Sequence, residues 1–241
     1  MMLAYHEFST TSERDVYSIR PEVFRQHMLL VREARGLRAC ATFDDGHRSQ
    51  FEFAVPVLGE LGLTGLFFIT TSWVDRNEST MRWSDLRALV GYGHTIGSHT
   101  DTHPLLTACS SADMRREIAI SKETLEHHLG VAIDSISMPG GRLNDGILAA
   151  CAEAGYKRVY TSRAVEHRSA SASIPEIVGR YVVHRCVSKR TLAAYLAEDP
   201  RMHRWLDIEY SLKKATKALA GDSLYQKLWR GAVRAEIYRT R

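Results

Sequence analysis

The chain has 241 residues, 44% apolar and 25% charged, enough for one sizeable core of ordinary globular composition. No apolar run approaches the roughly 20 residues that span a bilayer. The opening MMLAYHEFSTTSERD lacks the basic and apolar regions of a secretory signal, so a cytoplasmic protein is expected. Net charge is +4, but residues 201–241 sum to +6 and the rest to −2, which argues against a nucleic-acid-binding body.

Short apolar runs alternate with helical patterns along the chain. A short strand precedes His6. Arg38–Phe43 reads as a strand ending at Asp44-Asp45, and Phe51–Leu61 as a helix with Ala54, Val55, Leu58 and Leu61 at helical spacing. Gly65–Thr70 is a buried strand. Trp83–Val90 is a short helix, with Ser84 or Asp85 near its start, and His94–His99 is a strand running into polar residues. Ser111–Gly130 is the clearest helix, capped by Ser111, with Met114, Ile118, Leu125 and Leu129 as its apolar stripe. Ile133–Pro139 is a strand, Leu143–Gly155 a helix, Lys157–Ser162 a strand, Gly179–His184 a strand and Ser188–Glu198 a helix. Such alternation predicts a parallel sheet covered by helices, with the active site at the carboxyl ends of the strands. Cys40, Cys109, Cys151 and Cys186 include no CxxC pair and read as reduced, mostly buried thiols.

Unusual polar residues gather at those strand ends: Asp44-Asp45-Gly46, then His99 and His103, then Pro139-Gly140-Gly141-Arg142. An isolated Asp-Asp-Gly is more often a turn, and an isolated HxxxH is a weak metal signal. In one fold mouth they combine. Two histidines four apart on a helical turn, with one aspartate and an open position, form a recurrent catalytic zinc arrangement. Adjacent side chains point apart, so one aspartate can reach a metal and the other the reaction centre. His6 and His184 also end strands, His47 reads as a surface or pocket-rim residue, and His127-His128 as a solvated pair in a last helical turn.

Thr42–Gly46, Met81–Leu106, Pro139–Gly141 and Glu153–Tyr156 together resemble the polysaccharide deacetylase (NodB-homology, carbohydrate esterase family 4) proteins. The resemblance covers about residues 1–200. It implies an α/β fold, an irregular (β/α) barrel of about seven strands, and a metal-dependent hydrolase that removes N-acetyl groups from an amino sugar or glycan in surface-polysaccharide biosynthesis. It makes Asp45, His99 and His103 the ligands of a divalent metal, with zinc expected, and Asp44 the general base. The Pro139-Gly140-Arg142 loop would meet the substrate, with the Gly140 N–H sharing the oxyanion. Two features depart from the family. The arginine that often opens the third motif is replaced by Ser137, leaving Arg142 or Arg180 to substitute. No late Leu-x-His supplies the acid, for which His184 is the nearest candidate. A binding-only relative, or an enzyme cleaving another C–N amide, are the alternatives.

Residues 201–241 are expected to form a basic helical extension. Ile208, Leu212, Ala215 and Leu219 share one helical face, and Asp222 can cap a further helix bearing Leu224, Tyr225, Leu228, Trp229 and Ile237. Packing on the barrel is one fate for these helices. Attachment to an anionic membrane surface, at the inner face of the membrane, or to a protein partner is the other.

Overall fold

The computed structural model describes residues 1–11, 16–33, 40–171, 174–212 and 215–216. The strands are β1 (Met2–Tyr5), β2 (Glu7–Phe8), β3 (Ser18–Ile19), β4 (Cys40–Phe43), β5 (Gly65–Ile69), β6 (Thr95–Ser98), β7 (Ser135–Ser137), β8 (Arg158–Thr161), β9 (His167–Arg168), β10 (Glu176–Gly179) and β11 (Tyr181–Val182). The main sheet runs β11-β1-β4-β5-β6-β7-β8-β10-β9, and every pairing in it is parallel except that of β9 with β10. The helices are α1 (Pro21–Glu33), α2 (Val55–Glu60), α3 (Trp83–Gly91), α4 (Ser111–Leu129), α5 (Asp145–Glu153) and α6 (Lys189–Leu196), and one more covers 200–212.

The sheet closes through one stretch of chain. β10 pairs with β8 (Gly179↔Thr161), and β11, one residue later, pairs with β1 (Leu3↔Tyr181). Residues 176–182 therefore form a single closing stave, with Arg180 at the break between its two partners. Counting it once, and setting aside the short antiparallel β9, gives seven parallel staves, the irregular barrel expected from the resemblance.

Strand alternation sorts the side chains into two apolar groups. Leu66, Phe68, Tyr160 and Val178 form a small cluster distinct from the main core. The larger core includes Leu3, Tyr5, Phe43, Phe67 and Ile69 from the opposite strand faces, with Phe24 and Met28 of α1. Phe43 and Phe67 stack at 4.4 Å, and Phe24 meets Tyr5 edge-on at 5.0 Å.

Several boundaries differ locally from the sequence reading. The 51–61 helix is a π-helical turn (Gln50–Ala54) followed by α2, as Val55-Pro56 interrupts the regular ladder. Ser110 rather than Ser111 caps α4, its hydroxyl accepting the Asp113 N–H, and Gly130 ends that helix in the left-handed conformation (φ 66°). Cys151 is buried and its thiol is pushed up to about 12 by desolvation, whereas Cys109 and Cys186 are only half-buried. The helix expected after Asp222 lies outside the described residues.

Candidate functional site

β4 delivers two carboxylates to the barrel mouth and the backbone separates them. The Asp44 N–H continues the ladder to the Tyr5 carbonyl at 2.9 Å. Asp45 and Gly46 then both adopt left-handed conformations (φ 75° and 74°), a costly state for a non-glycine residue that reverses the chain at once. As a result Asp44 turns inward and is 4% exposed, while Asp45 faces the histidine loop.

Asp45 Oδ1 stands 3.4 Å from both His99 Nε2 and His103 Nε2. Ligands on a tetrahedral ion with bonds of about 2.0–2.1 Å lie about 3.3–3.4 Å apart, so these separations fit a shared cation. His99 Nδ1 donates to the Ser137 carbonyl at 2.9 Å, which leaves its Nε2 lone pair aimed into the cluster. Burial opposes protonation of His99, but Asp44 and Asp45 outweigh it and raise its pKa; the site draws positive charge. His103 is shifted the other way, by burial first and then by His99. Among the described residues, Asp45, His99 and His103 form the one group with metal-ligand geometry.

The two histidines meet differently from the helical turn expected. Residues 99–103 are irregular, with Thr100 and His103 both left-handed (φ 67° and 64°). Glu117 of α4, 3% exposed, holds this loop. Its carboxylate accepts the N–H groups of Asp101 (3.0 Å) and Thr102 (2.7 Å) and the Thr102 hydroxyl (2.7 Å). Nothing in the local pattern singled out Glu117, which reads as an ordinary polar position of an amphipathic helix.

Asp44 is clamped by Arg180, which is fully buried. Nη1 donates to Oδ1 at 2.6 Å and Nη2 to Oδ2 at 2.8 Å, a two-pronged ion pair. Arg180 also donates to the Ser137 and Thr42 hydroxyls at 2.6 and 3.0 Å, and lies over the rings of Phe68 (5.1 Å) and Tyr160 (5.9 Å). Burial pushes the Asp44 carboxyl up, but Arg180 outweighs it and, with His99, holds the group well below the usual carboxylate range. Of the two arginines considered for this role, Arg180 is the one that holds Asp44, and Ser137 leaves room for its guanidinium. Arg142 instead follows the turn Pro139–Gly141, where Gly140 is exposed between buried neighbours. Gly141 is left-handed (φ 67°), and a Cβ there would lie 2.8 Å from the Ser162 backbone nitrogen.

His6 joins the site at close range. Its Nε2 is 4.0 Å from Asp44 Oδ2, and Gln50 pins it by donating to the carbonyls of both His6 and Asp44 at 2.5 Å. Its ring packs on Tyr17 at 5.0 Å. His184 follows β11 by two residues, and Val182 is paired with Ala4, so it stands beside His6 at the same sheet end. A cavity of about 410 Å³ opens over the cluster, lined by His6, Tyr17, Asp45, His47, Trp73 and Arg76 among others, so His47 is a pocket residue as expected. His127 and His128 lie away on α4, where His128 stacks on Trp83.

The polysaccharide deacetylase family model matches residues 33–159. A chitooligosaccharide deacetylase of Sinorhizobium fredii is 32% identical over 124 residues, covering 50% of this chain and 55% of that protein. Its namesake in Rhizobium leguminosarum bv. trifolii is 31% identical over 123 residues, 50% of this chain and 54% of that one. The matched region thus spans about half the length of the curated relatives. Among solved structures, the deacetylase PplD of Streptococcus pyogenes superposes with a TM-score of 0.70 at 19% identity, over 82% of this chain and 96% of that one. IcaB of Ammonifex degensii gives 0.66 at 22% identity, over 81% and 95%. These structural likenesses establish the barrel. The family match covers more than half of the 241 residues and carries Asp44-Asp45, His99 and His103 within it: the chain belongs to the polysaccharide deacetylase family.

Proposed function

We propose that the protein is a metal-dependent hydrolase that removes the N-acetyl group from an amino sugar or glycan, in the assembly of a surface polysaccharide. The observation that carries this reading is the division of labour between Asp44 and Asp45. One carboxylate is bound to a buried arginine beside the reaction space, and the other completes a three-donor cluster. Asp45, His99 and His103 would hold the ion, and the two-histidine, one-carboxylate set favours zinc. Such an ion acidifies water and polarises the acetyl carbonyl.

The chain's own residues supply the rest. Asp44, kept ionised by Arg180, accepts the proton of the attacking water. Its weakened basicity suits a site in which a bound ion would acidify that water. The Gly140 N–H would donate to the developing oxyanion, an interaction typically worth about 100- to 1000-fold in rate. His6 is the nearer candidate to protonate the departing amine: it lines the cavity and approaches Asp44, with His184 beside it. Arg180 restores the guanidinium missing from the third motif, which supports a catalytic protein over a binding-only relative.

Acetate release from the zinc-loaded protein, screened across acetylated nucleotide sugars, lipid-linked sugars and oligosaccharides, tests the reading. Asp44→Asn is expected to abolish turnover with the metal retained, whereas Asp45→Asn weakens metal binding. Bound zinc with no acetate released from any of these substrates would sink it.

A further inference from the structure

The helix over 200–212 presents two unlike faces. One face is bound to the barrel. Leu206 is buried, Asp207 pairs with Arg163 at 3.3 Å, and Tyr210 lies under the Arg163 guanidinium at 5.2 Å. The opposite face carries Trp205, Ile208 and Leu212, spaced three and four residues apart, and they are 51%, 59% and 63% exposed. Arg201 and Arg204 are exposed on the same side of the helix. Few exposed side chains elsewhere among the described residues are as large and apolar. Tyr92 and Ile174 stand singly, whereas these three make a stripe.

Charge indicates what the stripe meets. Residues 201–241 carry +6 and the other 200 residues −2. A second copy docking through this face would bring two cationic segments together. Residues 217–241 are themselves +4, so folding them back over the stripe would set like charge against like. An anionic lipid surface complements both features. Apolar side chains enter the headgroup boundary, tryptophan favours that boundary, and Arg201 and Arg204 meet negative headgroups.

We propose that this helix docks the protein on an anionic bilayer surface. Its position gives the contact a direction. Arg163 lies in the loop that leaves the carboxyl end of β8, and Ser162 of the same loop packs against Gly141 of the substrate-facing turn. The docking face and the cavity mouth therefore belong to the same end of the barrel, which would hold the cavity near headgroup-borne substrates. The docking itself is independent of the chemistry at Asp44.

The test is co-sedimentation of the full chain with vesicles of phosphatidylcholine alone, or of equal parts phosphatidylcholine and phosphatidylglycerol. Binding to the anionic vesicles should exceed that to neutral ones by about tenfold or more and weaken as salt is raised. Ile208→Asp and Leu212→Asp should each reduce it about tenfold, with unchanged circular dichroism and metal content. Absent binding, or equal binding to neutral vesicles, overturns the proposal. So does wild-type binding by both variants, since tail charge alone would then suffice. Self-association lost in Ile208→Asp would assign the stripe to a second copy instead.

Discussion

Asp44 and Asp45 are adjacent in sequence yet have different electrostatic partners, and the left-handed turn at Asp45 is what separates them. Arg180→Ala leaves Asp44 buried without its counter-charge, so a loss of about 3–5 kcal/mol is expected in urea titrations. The sign follows from the depressed pKa of Asp44. The stabilisation is present above the ordinary carboxylate range and is lost as pH falls through the folded value. Removing Arg180 raises the Asp44 pKa, so the acid limb of the kcat–pH profile should move upward. Adding Ser137→Arg to Arg180→Ala returns a guanidinium from the end of β7, and partial recovery of rate is expected; no recovery would show that its direction of approach matters. His6→Ala should lower kcat by about 100- to 10,000-fold with zinc still bound. If His184→Ala has that effect and His6→Ala does not, the acid is His184.

At the scale of elements, α4 sets the loop that carries His99 and His103. An HxxxH spacing is legible without a structure, and a helical turn is its simplest geometry. The chain uses an irregular loop with two left-handed residues, stabilised by the Glu117 carboxylate from sixteen and fifteen residues away. Glu117→Gln retains the shape but offers one acceptor oxygen where two are used. Zinc affinity measured by calorimetry on the metal-free protein should fall about 10- to 100-fold, with the helical signal preserved. Unchanged affinity would show that the loop holds His103 without this clamp.

Across the whole molecule, α1 packs on the barrel through a buried histidine. The Tyr5 hydroxyl and His27 Nδ1 share a hydrogen bond of 3.1 Å, and burial, reinforced by Lys189, lowers the His27 pKa to about 4. An unfolded histidine titrates near 6.5, so between those values the unfolded chain binds more protons. Stability contributed at His27 is therefore complete above about pH 6.5 and declines as pH falls towards 4, by on the order of 3 kcal/mol. Thermal melts from pH 7 to pH 4 should show the slope, and His27→Leu should flatten it. A slope unchanged in that variant would place the linkage elsewhere.

Much of this protein is local and therefore readable from the chain. Strand and helix periodicities come from which face each residue buries, and they indicated a parallel sheet covered by helices; the seven-stave barrel came from the resemblance. The Asp-Asp-Gly, HxxxH and Pro-Gly-Gly segments end strands, so the parallel topology alone placed them at one mouth. What local pattern does not carry is partnership across the fold. Arg180 is 136 residues from Asp44, and only closure of β10 and β11 onto β8 and β1 brings it to the carboxylate. Its sequence surroundings, a short apolar strand, do not distinguish it from a surface arginine. Likewise, Ile208 and Leu212 fall at helical spacing in the sequence, but packing decided which face Leu206 and Tyr210 bury and which, with Trp205, is left to water. Periodicity reports that a face is apolar, whereas its partner is a property of the tertiary structure, because burial is settled by whatever surface arrives opposite it.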